Sequence, residues 1–130
     1  MLEIQVEGRD GWAEKLPTWR VDNRWTRLVC KKPLTGYHLY AQAFVFFAAH
    51  APFGLGLTAW DLRAELRVVG FVALFWVVED FLWFACNRAY GLGRFDPQCI
   101  SWHRDAWWWI APRDYWIGFP LGVACYVLAS

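Results

Sequence analysis

Over the first seven residues apolar side chains alternate with polar ones: Leu2, Ile4 and Val6 against Glu3, Gln5 and Glu7. A period of two marks a half-buried strand, so the spacing predicts a strand here, closed by a turn at Gly8-Arg9-Asp10-Gly11. From Trp12 to Cys30 the tryptophans Trp12, Trp19 and Trp25 are interleaved with Arg and Lys. Rings that insert and cations that meet lipid phosphate suit a segment lying against headgroups. A second short strand over Trp25–Cys30 would pair with the first. Residues 1–36 therefore read as a polar interfacial segment, irregular or β-containing.

Beyond Gly36 the pattern changes to apolar blocks. The stretch from Tyr37 to Leu57 carries no formal charge with its histidines neutral. Its length fits the roughly 20 residues that a helix needs to cross a bilayer at about 1.5 Å each. His50, Pro52 and Gly54 sit at its far end, where a break is tolerable. Ala59 to Arg67 is a short polar connection that doubles as the exposed first turns of the next helix, with Thr58 or Asp61 as N-cap. Val68 to Cys86 is apolar except for Glu79 and Asp80. Asn87 to Arg113 holds Gly91, Gly93, Pro97, Pro112 and the aromatic cluster Trp102 and Trp107-Trp108-Trp109. This predicts an extramembrane loop with an interfacial helix near Ser101–Ile110. A last apolar block, residues 114–129, is short and contains Gly118 and Pro120. The pattern predicts an all-α integral membrane protein with three transmembrane helices (37–57, 68–86 and 114–129). A hairpin with only two full spans is the rival topology.

Composition agrees with segregated apolar blocks in a single domain. Of 130 residues 58% are hydrophobic, against about 45–50% in soluble domains. A net charge of +1 leaves no basic face for phosphates, which excludes nucleic acid as a partner. Eleven tryptophans fit interfacial anchoring, because the ring is apolar and its N–H seeks an acceptor. Seven Lys and Arg lie in residues 1–36 and four in the Asn87–Asp114 loop, against two, Arg63 and Arg67, between the first two blocks. The positive-inside rule then puts the N-terminus in the cytoplasm, across a bacterial inner membrane, and the C-terminus outside. No basic stretch followed by an apolar core opens the chain, so no cleaved signal peptide is expected. Cys30, Cys86, Cys99 and Cys125 form no CxxC pair, which fits neither a zinc knuckle nor a redox motif. Cys86 and Cys125 read as small hydrophobes.

Glu79 and Asp80 are the most informative residues. They precede Asn87 by eight and seven positions, about 11–12 Å inside the helix end. An acid at the centre of a span costs roughly 2.5–3.5 kcal/mol, so each must be compensated, protonated or used. Helical spacing groups Glu79 with Trp83 and Asn87, and Asp80 with Trp76 and Phe84. The structural reading is polar glue, with Trp indoles or an Arg such as Arg88 or Arg113 as partners. The functional reading is metal ligation, proton relay or general acid–base work. His38, with Gln42 one turn deeper, and His103 fall on the side where these acids lie, whereas His50 reads as a polar anchor at the opposite end. His38, Glu79, Asp80 and His103 form a plausible ligand set for a divalent Fe, Mn or Zn ion, with Glu79, Asp80 and His103 as catalytic candidates. Glu79 is expected buried, in one network with Asp80 and at least one of His38, Asn87 or His103. The loop arginines satisfy the positive-inside rule or hold an anionic headgroup.

No family signature emerges. The leading expectation is an assembly or accessory component of a membrane complex, or a homo-oligomer, in contact with membrane lipids. A membrane-embedded enzyme acting on a lipid or other apolar substrate at the cytoplasmic interface is the alternative. A proton- or ion-conducting oligomer built around Glu79 is the second alternative.

Overall fold

The N-terminal alternation folds as a helix. In the computed structural model, which describes residues 2–8, 11–29 and 32–130, α1 spans Leu2–Glu7. Six residues are too few for period to separate strand from helix. As a helix the segment closes its own backbone bonds, with Gly8 N–H donating to Ile4 C=O at 2.9 Å, where a lone strand would need a partner. Ile4 then packs against Trp83, Phe84 and Ile100. The expected second strand is also a helix, α2, Arg24–Val29. Asn23 caps it, its Oδ1 accepting from the N–H groups of Trp25 and Thr26. Cys30 and the turn residues Arg9 and Asp10 lie outside the described residues. The strand pairing that does form is β1 (Arg20–Val21) with β2 (Leu34–Thr35), antiparallel, Arg20 opposite Thr35.

Thr35 ends β2 and caps α3, Gly36–Gly54, accepting from His38 N–H at 3.2 Å. Asp61 caps α4, Leu62–Cys86, accepting from Ala64 N–H at 2.7 Å, as the sequence leads one to expect. The segment after α4 corrects another expectation. Instead of an interfacial helix near Ser101–Ile110 there is a 3₁₀ turn at Arg104–Ala106. A small antiparallel ladder follows, β3 (Trp107–Trp108) with β4 (Ala111–Pro112). Trp109 turns its corner at φ 52° and is 82% exposed. The last helix, α5, covers Arg113–Leu128.

Among the described residues the chain is therefore mixed, with five α-helices and two two-stranded sheets. It is not an all-α protein of three spans: α4 alone, at 25 residues, is long and apolar enough to cross a membrane. α5 has only 16 residues and contains Pro120, short of the roughly 20 a span needs. α3 has 19 residues with Pro52 inside, and its polar Tyr37, His38, Gln42 and His50 dilute its apolar character.

α4 and α5 pack along each other through small residues. A Cβ on Gly122 would stand 2.5 Å from Leu74 Cγ, and one on Gly70 would stand 3.0 Å from the Gly122 carbonyl oxygen. α3 meets α4 less closely than α5 does. The buried core sits at the C-terminal end of α4, where Trp83, Phe84 and Ile100 are ringed by Ile4, Tyr90, Phe95, Trp102 and Trp107. Gly11, at φ 68°, lays its backbone on this cluster; a side chain there would collide with Trp102 at 2.6 Å. Away from the core, large apolar side chains face outward, among them Phe44 and Phe47 on α3, Phe71 and Val78 on α4, and Phe119 and Val127 on α5.

Candidate metal centre

Because α1 is a helix, Glu3 and Glu7 fall one turn apart on one face. That face meets the start of α3. The side-chain donor atoms of Glu3, Glu7 and His38 all lie within 4.8 Å of one another. His38 Nε2 stands 3.4 Å from Glu7 Oε1. Its Nδ1 is 2.6 Å from Thr35 Oγ1, and its ring stacks on Trp12 at 3.8 Å. The imidazole is thus oriented from behind and from one face, with Nε2 turned to the acids. Burial, reinforced by the charges of Lys32 and Arg20, lowers the His38 pKa to about 4, which leaves the neutral ring a metal requires.

Glu7 is buried, and its Oε1 accepts from Ala13 N–H at 2.5 Å. That bond helps to hold Trp12 and Ala13 at positive φ, 44° and 51°; Arg20 adds a hydrogen bond to the Ala13 carbonyl. The other carboxyl oxygen is not used by this contact. Burial pushes the Glu7 carboxyl up to about 7, partly opposed by the Ala13 N–H. Burial also raises Glu3, against hydrogen bonds with Glu79 and the Tyr37 hydroxyl. The Glu3 carboxyl thus meets Glu79 of α4 as well as Tyr37 of α3.

Across the same cavity Asp80 accepts from the Tyr115 hydroxyl at 2.6 Å. Its second oxygen is 3.5 Å from His103 Nε2. The imidazole is 97% buried, since only 3% of its side chain is exposed, yet Nε2 completes no hydrogen bond. Its neighbour there is the Asp80 carboxyl, at ion-pair distance. Burial first, and the neighbouring Asp80 second, hold the Tyr115 phenol above its ordinary value, so the hydroxyl remains a donor.

Glu3, Glu7, His38, Glu79, Asp80, His103 and Tyr115 all line one cavity of about 520 Å³. The four residues singled out in the sequence, His38, Glu79, Asp80 and His103, do converge on it. Glu79 meets Glu3. Asn87 does not join the network; its amide donates to the Gly8 carbonyl at 3.3 Å and clamps α4 to the end of α1. Neither anticipated Arg partner reaches the two acids by a hydrogen bond: Arg113 pairs with Asp114 at 3.0 Å, and Arg88 is exposed. Arg94 and Arg104 brace their own loop, donating to the carbonyls of Ala89 and Pro97. His50 bonds the Phe46 carbonyl and Glu65, at 2.7 and 3.1 Å, far from the cavity.

Three contributors escaped the sequence reading. Glu3 and Glu7 were hidden by the strand assignment, since a strand also puts both on one face but gives no reason to aim it at His38. Tyr115 carried no signal beyond its position at the start of the last apolar block. The lining counts five carboxylates, Glu3, Glu7, Glu79, Asp80 and Asp114, against the permanent cations Lys32 and Arg113. With neutral imidazoles and every carboxyl ionised that is a formal charge of −3, which each carboxyl that keeps its proton brings nearer to neutral. The chain matches no protein-family model, no curated protein and no solved structure.

Proposed function

We propose that this chain is a membrane-associated, metal-dependent enzyme whose centre holds a divalent cation on Glu3, Glu7 and His38. The observation that carries the reading is the approach of these three donor groups to within 4.8 Å, in a cavity lined by five carboxylates against two permanent cations. Two carboxylates and an imidazole suit iron, manganese or zinc. A second observation is the buried imidazole of His103, whose Nε2 faces Asp80 at 3.5 Å in the same cavity. An assembly role gives no account of two imidazoles gathered beside five carboxylates.

The division of labour follows from the contacts. The ion would polarise a substrate oxygen or lower the pKa of bound water. His103, backed by Asp80 and through it by Tyr115, would take up and return the proton. Membrane association rests on the outward apolar side chains of α3, α4 and α5 and on α4 as the candidate span. Exposed apolar surface of that extent marks contact with lipid or protein.

The test is manganese titration of the purified, chelator-treated protein, followed by electron paramagnetic resonance and elemental analysis. One ion per chain is expected. Glu7→Gln keeps an oxygen to accept from Ala13 N–H, so it should stay folded while its affinity for Mn²⁺ falls at least about tenfold, as should that of His38→Ala. Retention of no ion by the wild type, or wild-type affinity in both variants, would overturn the reading.

A further inference from the structure

The indole of Trp83 carries a donor with nothing to receive it. The residue is 4% exposed and lines the cavity, yet among the described residues its Nε1–H meets no acceptor. The ring is not free to tilt towards one. It stands edge to face against Phe84 and Trp102, at 5.1 and 5.8 Å, and a Cβ on Gly11 would lie 3.0 Å from its Cη2. A buried indole N–H ordinarily has a partner. In a cavity wall that partner arrives with the occupant.

From Trp83 the cavity runs along α4 past Val77 to Ala73, about 15 Å by helix rise. Its far end is an apolar slot, closed by Ala41 of α3 and by Ile117 and Leu121 of α5. Ile117 and Leu121 are 51% and 48% exposed, so the slot opens sideways between α3 and the α4–α5 pair. A helix about 10 Å in diameter would occupy 520 Å³ with little more than one turn, which excludes a partner helix. A single hydrocarbon chain fits.

Charge decides the head. Lys32 already lies over the Trp12 ring at 3.4 Å, and Arg113 pairs with Asp114. An anionic head would therefore meet five carboxylates with no permanent cation to spare. An ammonium head would compete with a bound metal ion for Glu3 and Glu7. A neutral oxygen does neither. The Trp83 N–H and the ion each need a lone pair, and a carbonyl oxygen offers two and carries no proton.

We infer that the cavity takes a single-chain lipid headed by a neutral carbonyl, its oxygen accepting from Trp83 Nε1–H and its tail in the slot between α3 and the α4–α5 pair. The inference rests on the metal-centre reading only for the ion's share of that oxygen. Trp83 and the slot stand without it.

The experiment uses the full chain, loaded with Mn²⁺, in nanodiscs of diether phosphatidylcholine, whose chains carry no carbonyl. The probe is the methyl ester of a sixteen-carbon fatty acid with a mid-chain diazirine, and cross-links are mapped by mass spectrometry. Saturable labelling at Ala41, Val77 and Leu121 is expected. Methyl palmitate should displace it at about tenfold lower mole fraction than hexadecane or palmitate. Trp83→Phe keeps a ring and loses the donor, so it should erase that preference and leave displacement by hexadecane unchanged. Leu121→Trp fills the slot and should abolish saturable labelling while Mn²⁺ stays bound. Equal displacement by hexadecane, stronger displacement by palmitate, or a preference undiminished in Trp83→Phe overturns the inference. So does labelling that never saturates and spreads over Phe44, Val78 and Val127. The carbonyl preference without retained Mn²⁺ sinks the metal reading and supports the lipid site. Retained Mn²⁺ without that preference does the reverse.

Discussion

His38 illustrates how a single side chain acquires a role from its neighbours. Thr35 serves it twice: the hydroxyl accepts from the His38 N–H as the cap of α3 and meets the imidazole Nδ1 at 2.6 Å. Thr35→Val removes both contacts at nearly constant shape. The expected result is a loss of about 1 kcal/mol in stability from the missing cap, with a 10–100-fold loss of Mn²⁺ affinity from the untethered ring. Thr35→Ser should restore both. Calorimetry and metal titration on the three proteins decide it, and an affinity unchanged in Thr35→Val would separate the cap from the site.

Elements here are held by contacts at their ends and by small residues along their lengths. Gly122 has no room for a methyl group, whereas the space around Gly54, at the end of α3, is open. Gly122→Ala should therefore cost about 1–3 kcal/mol by forcing α4 and α5 apart. Gly54→Ala should be neutral or stabilise by up to about 1 kcal/mol. Chemical denaturation of the pair in one detergent tests the contrast, and equal effects would mean that the close approach of the helices is unimportant. The same end of α3 is tied to α4 by His50 and Glu65. Hydrogen bonds to the Phe46 carbonyl and to Glu65 raise the His50 pKa above its ordinary value. A base raised in the folded state contributes stability that is complete below its unfolded pKa and lost as pH climbs through the folded one. The melting-temperature advantage of wild type over His50→Gln should thus be full near about pH 5 and absent by about pH 9. An advantage that grows with pH would reverse the assignment.

The whole molecule combines a small aromatic core at one end of α4 with helices whose outer faces are apolar. If α4 crosses a bilayer, its two ends are separated by the membrane. In a variant whose other cysteines are replaced, native Cys86 and an introduced Arg63→Cys should react with an impermeant maleimide from opposite sides of sealed vesicles. Reaction of both from one side would rule out α4 as a span. Metal titration in the same vesicles would report whether the cavity is intact there.

Much of this was legible one residue at a time. The Asp61 cap, the long apolar helix and the anomaly of Glu79 and Asp80 within it are local matters, set by capping chemistry and by the expense of burying acids. The convergence of His38 and His103 on those acids was also within reach of the sequence, because helix periodicity and chain order restrict which ends can meet. The identity of α1 was not. Six alternating residues satisfy a strand as well as a helix, and the choice depends on Ile4 finding Trp83, Phe84 and Ile100, which are distant in the chain. The number of candidate spans likewise turned on lengths that only the folded chain defines, since Pro52, Pro120 and the capped ends trim α3 and α5. Local patterns singled out the polar residues within the apolar blocks; tertiary packing alone decided that Glu3, Glu7 and Tyr115 would line one cavity with them, because contacts between distant segments leave no period in the sequence to read.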